Sequence, residues 1–265
     1  KHQFRRRQAI KRKSTGSNPN RNQQFEKIHQ LVETYQAAGE PVISMDSKKK
    51  AIGLLYRAGR TYTQAPIEVY DHDWASLATG KAIPHGLYDL KQNIGYVQIG
   101  TSRDTHEFAI DSLRYWWQTH GRQHYPTATS LLLTCDGGGS NGSRSYLFKA
   151  ALQALAIELG LDIRVAHYPP YTSKYNPIEH RLFPHLTRAT QGVIFDTVDT
   201  VKDLMATATT ATGLSVLTTV LDRVYETGKK ATDELKASIR VVFDDVLPKW
   251  NYTALANPSQ IGSTI

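Results

Sequence analysis

The stretch Leu131-Leu132-Leu133-Thr134-Cys135-Asp136-Gly137-Gly138-Gly139 decides how this chain is read. Its apolar run is short and unalternated, the pattern of a strand buried on both faces, and the glycines after it make a turn. Asp136 is thereby placed at the C-terminal edge of a strand, beside backbone thin enough for a phosphate chain to approach. A second short apolar run, Val42-Ile43-Ser44-Met45-Asp46, also ends in an acid. A third acid follows a proline-rich loop in Pro169-Pro170-Tyr171-Thr172-Ser173-Lys174-Tyr175-Asn176-Pro177-Ile178-Glu179. There Asn176-Pro177 reads as the N-cap and first residue of a helix, which puts Glu179 in the first turn. Three acids on two strands and a helix suggest a phosphodiester site built around two metal ions.

Outward from these stretches the chain reads as an α/β plan. Residues 24–38 have helical spacing, and 86–90 with 94–99 form a hairpin. Asp104 is expected to cap a helix that closes at Gly121, and Ser145 opens another that stops at Gly160. Residues 162–167 form a further strand. Residues 48–86 are irregular, with weak strand signals at 52–56 and 67–70. Pro184 should break the helix that carries Glu179. From 197 onward, 198–206, 214–225 and 231–242 read as helices. The expected organisation is a basic tail over 1–24, a core over 25–196 with an insertion at about 48–86, and a helical extension over 197–265.

Lys and Arg outnumber Asp and Glu by 32 to 24, a formal charge of +8, which points to a polyanionic partner. Cys135 is the lone cysteine, so an intramolecular disulfide and a multi-cysteine zinc site are excluded. No apolar run approaches the roughly 20 residues of a membrane span, so a cytoplasmic protein is expected. The glycine run is no phosphate-binding P-loop, because the chain continues Gly142-Ser143-Arg144.

Each acid has a plainer reading. Asp46 could simply form a turn, and Asp71-His72-Asp73 rivals it as a metal-binding cluster. The spacing Asn176-x-x-Glu179 approaches a capping box, in which the glutamate only secures the helix end. His180 and His185 read as polar-face residues.

Asp46-Ser47-Lys48-Lys49-Lys50, Trp116-Trp117, Asp136 through Arg144, Pro169 through Phe183, and Trp250-Asn251-Tyr252-Thr253 together resemble bacterial DDE transposases of the Rhodopirellula type. The resemblance spans about residues 20–257. It implies an RNase H-like core with a mixed five-stranded sheet that cuts and joins DNA using two Mg²⁺ ions, for which Mn²⁺ can substitute. The implied triad is Asp46, Asp136 and Glu179, a choice over Asp71 and Asp73 that spacing could not make. Lys48, Lys49, Arg144, Lys174 and Arg181 would hold phosphates, and Tyr171 or Tyr175 could stack on an unpaired base. Partners would be transposon ends and target DNA, with several copies assembling on them near the bacterial nucleoid. Tyr175, Pro177 and Pro184 depart from the family pattern. Two alternatives stay open: a DNA-binding protein derived from a transposase whose catalysis has faded, and a nuclease of the same fold that cuts without joining.

Overall fold

The computed structural model describes residues 18–48, 50–55, 59–60, 63–70 and 76–260. Along the chain come α1 (Arg21–Ala37), β1 (Val42–Ser47), β2 (Lys50–Ile52), β3 (Gly80–Asp89), β4 (Ile94–Gly100) and α2 (His106–Trp116). A π turn (Trp117–Gly121) leads into α3 (Arg122–His124), followed by β5 (Ser130–Asp136), α4 (Tyr146–Leu159) and β6 (Asp162–Tyr168). Then come α5 (Pro177–Arg181), α6 (Phe183–Ala189), α7 (Val198–Ala206), β7 (Ser215–Leu221), α8 (Asp233–Ser238), β8 (Val241–Phe243) and β9 (Asn251–Ala254).

The central strands run β4-β3-β1-β5-β6. β3 is antiparallel to both β1 and β4, whereas β1, β5 and β6 are parallel. This is the five-stranded mixed core expected of an RNase H-like fold. Met45 lies opposite Cys135, so the next residues, Asp46 and Asp136, leave neighbouring strands at the same level. Side chains alternate across the pleat. Met45, Leu131, Leu133 and Cys135 pack under Trp116 of α2 and Phe148, Leu152 and Leu155 of α4. On the other face Val42, Leu132, Ala166 and Tyr168 meet Ile28 of α1. Farther along that face Ile178 of α5, Leu182 at the junction, and Phe183 and Leu186 of α6 lie on Tyr88, Val97 and Ile99. Ser145 caps α4 by accepting the Phe148 N–H, and Gly160 ends it in the left-handed conformation. The helical run breaks at Leu182 and restarts with Pro184 in its first turn, as a proline demands.

Two glycines set how closely α5 approaches. A Cβ on Gly86 would stand 2.8 Å from Ile178 Cδ1, and one on Gly95 would stand 2.4 Å from Leu182 Cδ1. Gly86 pairs with Asp46 across β1 and β3, so the floor beneath α5 is bare backbone beside that acid.

Several expectations need correction. The sheet is larger than five strands: β7 adds to β4, and β9 and β8 extend beyond β6. Residues 214–225 are not helical; Ser215–Leu221 is β7, parallel to β4. Val216, Thr218, Thr219 and Val220 are β-branched, and pairing with an open strand edge outweighs the leucine spacing that suggested a helix. Within 231–242 only Asp233–Ser238 is helical, and the aromatic tail forms β9. The extension over 197–265 is therefore mixed: β7, β8 and β9 extend the sheet, and α7 covers part of it through Val201 and Met205. Gly121 does not end a helix. It lets the chain pass close under Trp116 and Trp117, where a Cβ would come within 2.6 Å of Trp117 Cε3. The cap of α2 is Thr105, while Asp104 accepts a hydrogen bond from Ser47 Oγ at 2.7 Å.

Gly86→Val should lower unfolding stability by roughly 1–3 kcal/mol, as overpacking a filled core does. The check is a fall in urea midpoint at unchanged slope. An unshifted midpoint would mean that α5 does not rest on this strand.

Candidate active site

The site is assembled from three elements that end within reach of one another. β1 and β5 deliver Asp46 and Asp136 side by side. α5 is held over them by a buried polar clasp. Ser44, two residues before Asp46 and on the same face, donates its hydroxyl to Asn176 Oδ1 and accepts the Ile178 N–H at 3.0 Å. Asn176 Nδ2 donates to the Met45 carbonyl at 3.2 Å. Asn176 and Ser44 are fully buried, so every one of these bonds is made away from water.

This arrangement overturns the capping-box reading. Asn176 is the N-cap of α5 but makes no side-chain cap bond, because its amide is spent on β1. Glu179 does not reach back to the helix end. Its Oε1 accepts from Lys48 Nζ at 2.8 Å.

Lys48 therefore has a different place from the one expected. Its ammonium stands 2.8 Å from Glu179 and 3.9 Å from Asp46, and 5.0 Å above the Phe183 ring. It acts as an internal counter-ion for two crowded carboxylates. Burial pushes the Asp46 carboxyl up to about 7, helped by the Glu179 carboxyl and the Asp136 charge, while the Ser47 N–H and Lys48 pull it back. Asp136 is raised as well, first by burial and then by Glu179. One Asp136 oxygen, Oδ1, is buried and makes no hydrogen bond among the described residues.

Behind Asp136 the structure is braced. His167 is fully buried, and burial holds its imidazole neutral by lowering it to about 4. Its Nδ1 lies 2.9 Å from the Asp136 carbonyl oxygen and 3.3 Å from Cys135 Sγ, and its Nε2 lies 3.1 Å from the Tyr252 hydroxyl. One tautomer satisfies these contacts: Nδ1–H donates to the carbonyl and the Tyr252 O–H donates to Nε2. Lys149, also buried, donates its ammonium to the Ser143 carbonyl and lies 5.0 Å over the Tyr252 ring. The glycine turn is thus anchored from below. None of these supports was read as functional in the sequence. Ser44 alone carried a usable signal, since strand alternation puts it on the face of Asp46.

The remaining basic residues divide. Arg144 is exposed just past the glycine turn, and Lys174 is exposed with its ammonium 5.0 Å from the Tyr175 ring. Arg181 is exposed and lines a separate cavity of about 320 Å³ with Tyr88, Asn93, His180 and His185. Lys49 lies outside the described residues, as do Asp71, His72 and Asp73.

The donor set suits a hard divalent cation, being all carboxylate oxygen with one oxygen left unpartnered. Among the described residues, however, no three acidic, histidine or cysteine side chains are closed around a single point. Lys48 stands between two of them, which accounts for the open arrangement.

With divalent ions chelated, the folded chain should hold a proton among these acids that an unfolded aspartate releases above about pH 4. The native state then binds more protons than the unfolded one, so stability should fall as pH rises from about 4 towards 7. Lys48→Met should lower stability further at pH 7, because carboxylate repulsion is left uncompensated. It should also reduce the Mn²⁺ concentration that half-restores the melting temperature, since no ammonium competes for the acids. Equal Mn²⁺ midpoints in the two proteins would show that Lys48 is no counter-ion.

Among solved structures, the Mos1 transposase paired-end complex with left transposon end superposes with a TM-score of 0.49 at 14% identity, covering 75% of this chain and 57% of that one. The Mos1 mariner paired-end complex with Mn gives 0.47 at 15% identity, with 74% and 57% covered. The chain thus spans less than three-fifths of the Mos1 chains it resembles. A comparison with the curated proteins finds no sequence match. A family model described as the Rhodopirellula transposase DDE domain matches residues 1–256, nearly the whole chain, and the chain belongs to that family.

Proposed function

We propose that the chain is the catalytic part of a DNA transposase that cleaves a phosphodiester and joins the resulting 3′-hydroxyl to another strand. The observation that carries this is the convergence of Asp46 and Asp136, from adjacent parallel strands, with Glu179, which is positioned by the Ser44–Asn176 clasp. Asp46, Asp136 and Glu179 would hold two Mg²⁺ or Mn²⁺ ions. When bound, such ions supply activation of a water or 3′-hydroxyl nucleophile and stabilisation of the leaving 3′-oxygen. The protein's own part is to hold the three carboxylates near one another, with Asp46 and Asp136 drawn out of water, and to hold the substrate phosphates. Lys49, Arg144, Lys174 and Arg181 would contact those phosphates, and Lys48, paired with Glu179 and Asp46 in this structure, would join them once cations replace it at the acids. The catalytic unit would run from α1 through β9, because Gln24 of α1 and Asn251 of β9 exchange side-chain hydrogen bonds at 2.7 and 2.9 Å.

The departures from the family pattern are compatible with a working site. Pro177 occupies the first turn of α5, where its missing N–H is no loss. Tyr175 packs edge-on to Phe25, with ring centroids 5.2 Å apart. This favours an active enzyme over a binding protein that has lost its chemistry. Oligomers on DNA and a place in the bacterial cytoplasm belong to the same proposal; among the described residues no helix is long and apolar enough to cross a membrane.

Cleavage of matching transposon ends in Mn²⁺ should fall to background in Asp136→Asn and in Glu179→Gln, with DNA affinity kept or slightly raised. Glu179 caps nothing, so the glutamine variant should keep its fold, and a fully active Glu179→Gln would remove that residue from the site. Joining of a supplied 3′-hydroxyl end separates a transposase from a nuclease.

DNA affinity should fall steeply with salt, because phosphate neutralisation releases counterions. Removing residues 1–17, with Lys1, Arg5, Arg6, Arg7, Lys11, Arg12 and Lys13, should flatten the slope of log affinity against log salt. An unchanged slope would show that the tail contacts no phosphate.

A further inference from the structure

We propose that Tyr171 is a stacking site for an unpaired DNA base beside the three acids, an inference that rests on the DNA-processing role above. Tyr171 is 82% exposed, the most open large apolar side chain among the described residues. Its backbone is left-handed, with φ +64. That conformation is uncommon for a bulky aromatic residue and persists only where the surroundings impose it. Here they do. Pro169 and Pro170 restrict the approach to Tyr171, and Thr172, only 2% exposed, donates its N–H and its hydroxyl to the Pro169 carbonyl at 3.2 and 2.6 Å. Tyr175 N–H donates in turn to the Thr172 carbonyl at 2.9 Å. The ring is presented to solvent by a tied loop, with no ring contact or hydrogen bond of its own among the described residues.

Tyr175, four residues on, is not available for the same task. Its ring lies 5.2 Å from Phe25, with the Arg21 guanidinium 5.7 Å and the Lys174 ammonium 5.0 Å from its centre. It joins α1 to the loop. Arg21 and Lys174 flank the same loop and can take the phosphates on either side of a bound nucleotide.

Position fixes the ligand. The loop leaves β6 after Tyr168, which pairs with Asp136, and ends at the helix carrying Glu179. A base stacked on Tyr171 would therefore belong to DNA at the acids. Bases inside a duplex already have both faces covered, so only an unpaired or extruded base offers a face to the ring. Stacking on an aromatic ring is tolerant of sequence because every base has such a face.

The test compares the full chain on a blunt duplex and on the same duplex with a short unpaired overhang, by fluorescence anisotropy at fixed salt. The wild type should prefer the overhang by about tenfold, the scale of one base stacked on an aromatic side chain. Tyr171→Ala should lose that preference yet bind the blunt duplex as before, and Tyr171→Phe should retain it. Tyr171→Gly should melt no lower than the wild type, since glycine accepts the left-handed backbone, and it too should lose the preference. An overhang preference that survives in Tyr171→Ala, or a wild type that binds both duplexes equally, overturns the inference and leaves the proposed function standing. A wild type that binds neither DNA overturns both.

Discussion

Asp46 and Asp136 end neighbouring parallel strands, and their carboxylates are drawn out of water beside Glu179. Like charges at that spacing in a poorly hydrated place repel strongly. Much of the surrounding structure offsets this repulsion. Lys48 supplies a positive charge between two of the acids. The Ser47 N–H donates to Asp46 Oδ1 at 2.8 Å. The acids lie close to one another with Lys48 between two of them, and their mutual repulsion favours positive charge at that place.

Such a site needs a frame stiff enough to resist it, and the frame is built from short, buried contacts. The clasp from Ser44 through Asn176 fixes the start of α5, and bare glycine backbone lets the helix settle directly on β3 and β4. Beneath the sheet, His167 and Lys149 hold the peptide of Asp136 and the turn that follows it. The acids are thus set by groups that lie behind them, as the hydrogen-bonding partners of metal-binding side chains orient those side chains.

The central strands, the break at Pro184 and the helix caps at Ser145 and Gly160 were legible because each follows from a local rule. The order of the central sheet likewise follows from a hairpin joined to parallel strands. What sequence could not supply were matters decided by distant partners. β7 is a strand because the edge of β4 is open to it, although its leucines repeat at helical spacing. Glycines at 86, 95 and 121 look like ordinary loop or strand glycines until the helix or indole above them is known. In the site, Asp136 could be singled out from its buried strand and glycine turn. Choosing Asp46 over Asp71 and Asp73 took the family resemblance. Asn176 was read as a simple cap because its actual partner, Ser44, lies 132 residues away.

The two outermost strands of the main sheet, β7 and β8, both come from the last part of the described chain. Everything N-terminal to residue 215 therefore makes a sheet whose two margins are unpaired, with rows of free N–H and C=O groups on β4 and β6. A protein cut short upstream of residue 215 would carry two adhesive edges at once and would be prone to associate through them. Synthesis, too, must pass residue 221 before the β4 margin is sealed and residue 254 before the β6 margin is, so both stay open through most of the described chain. A late stop codon would then yield a product prone to removal by aggregation or proteolysis rather than a stable shortened protein.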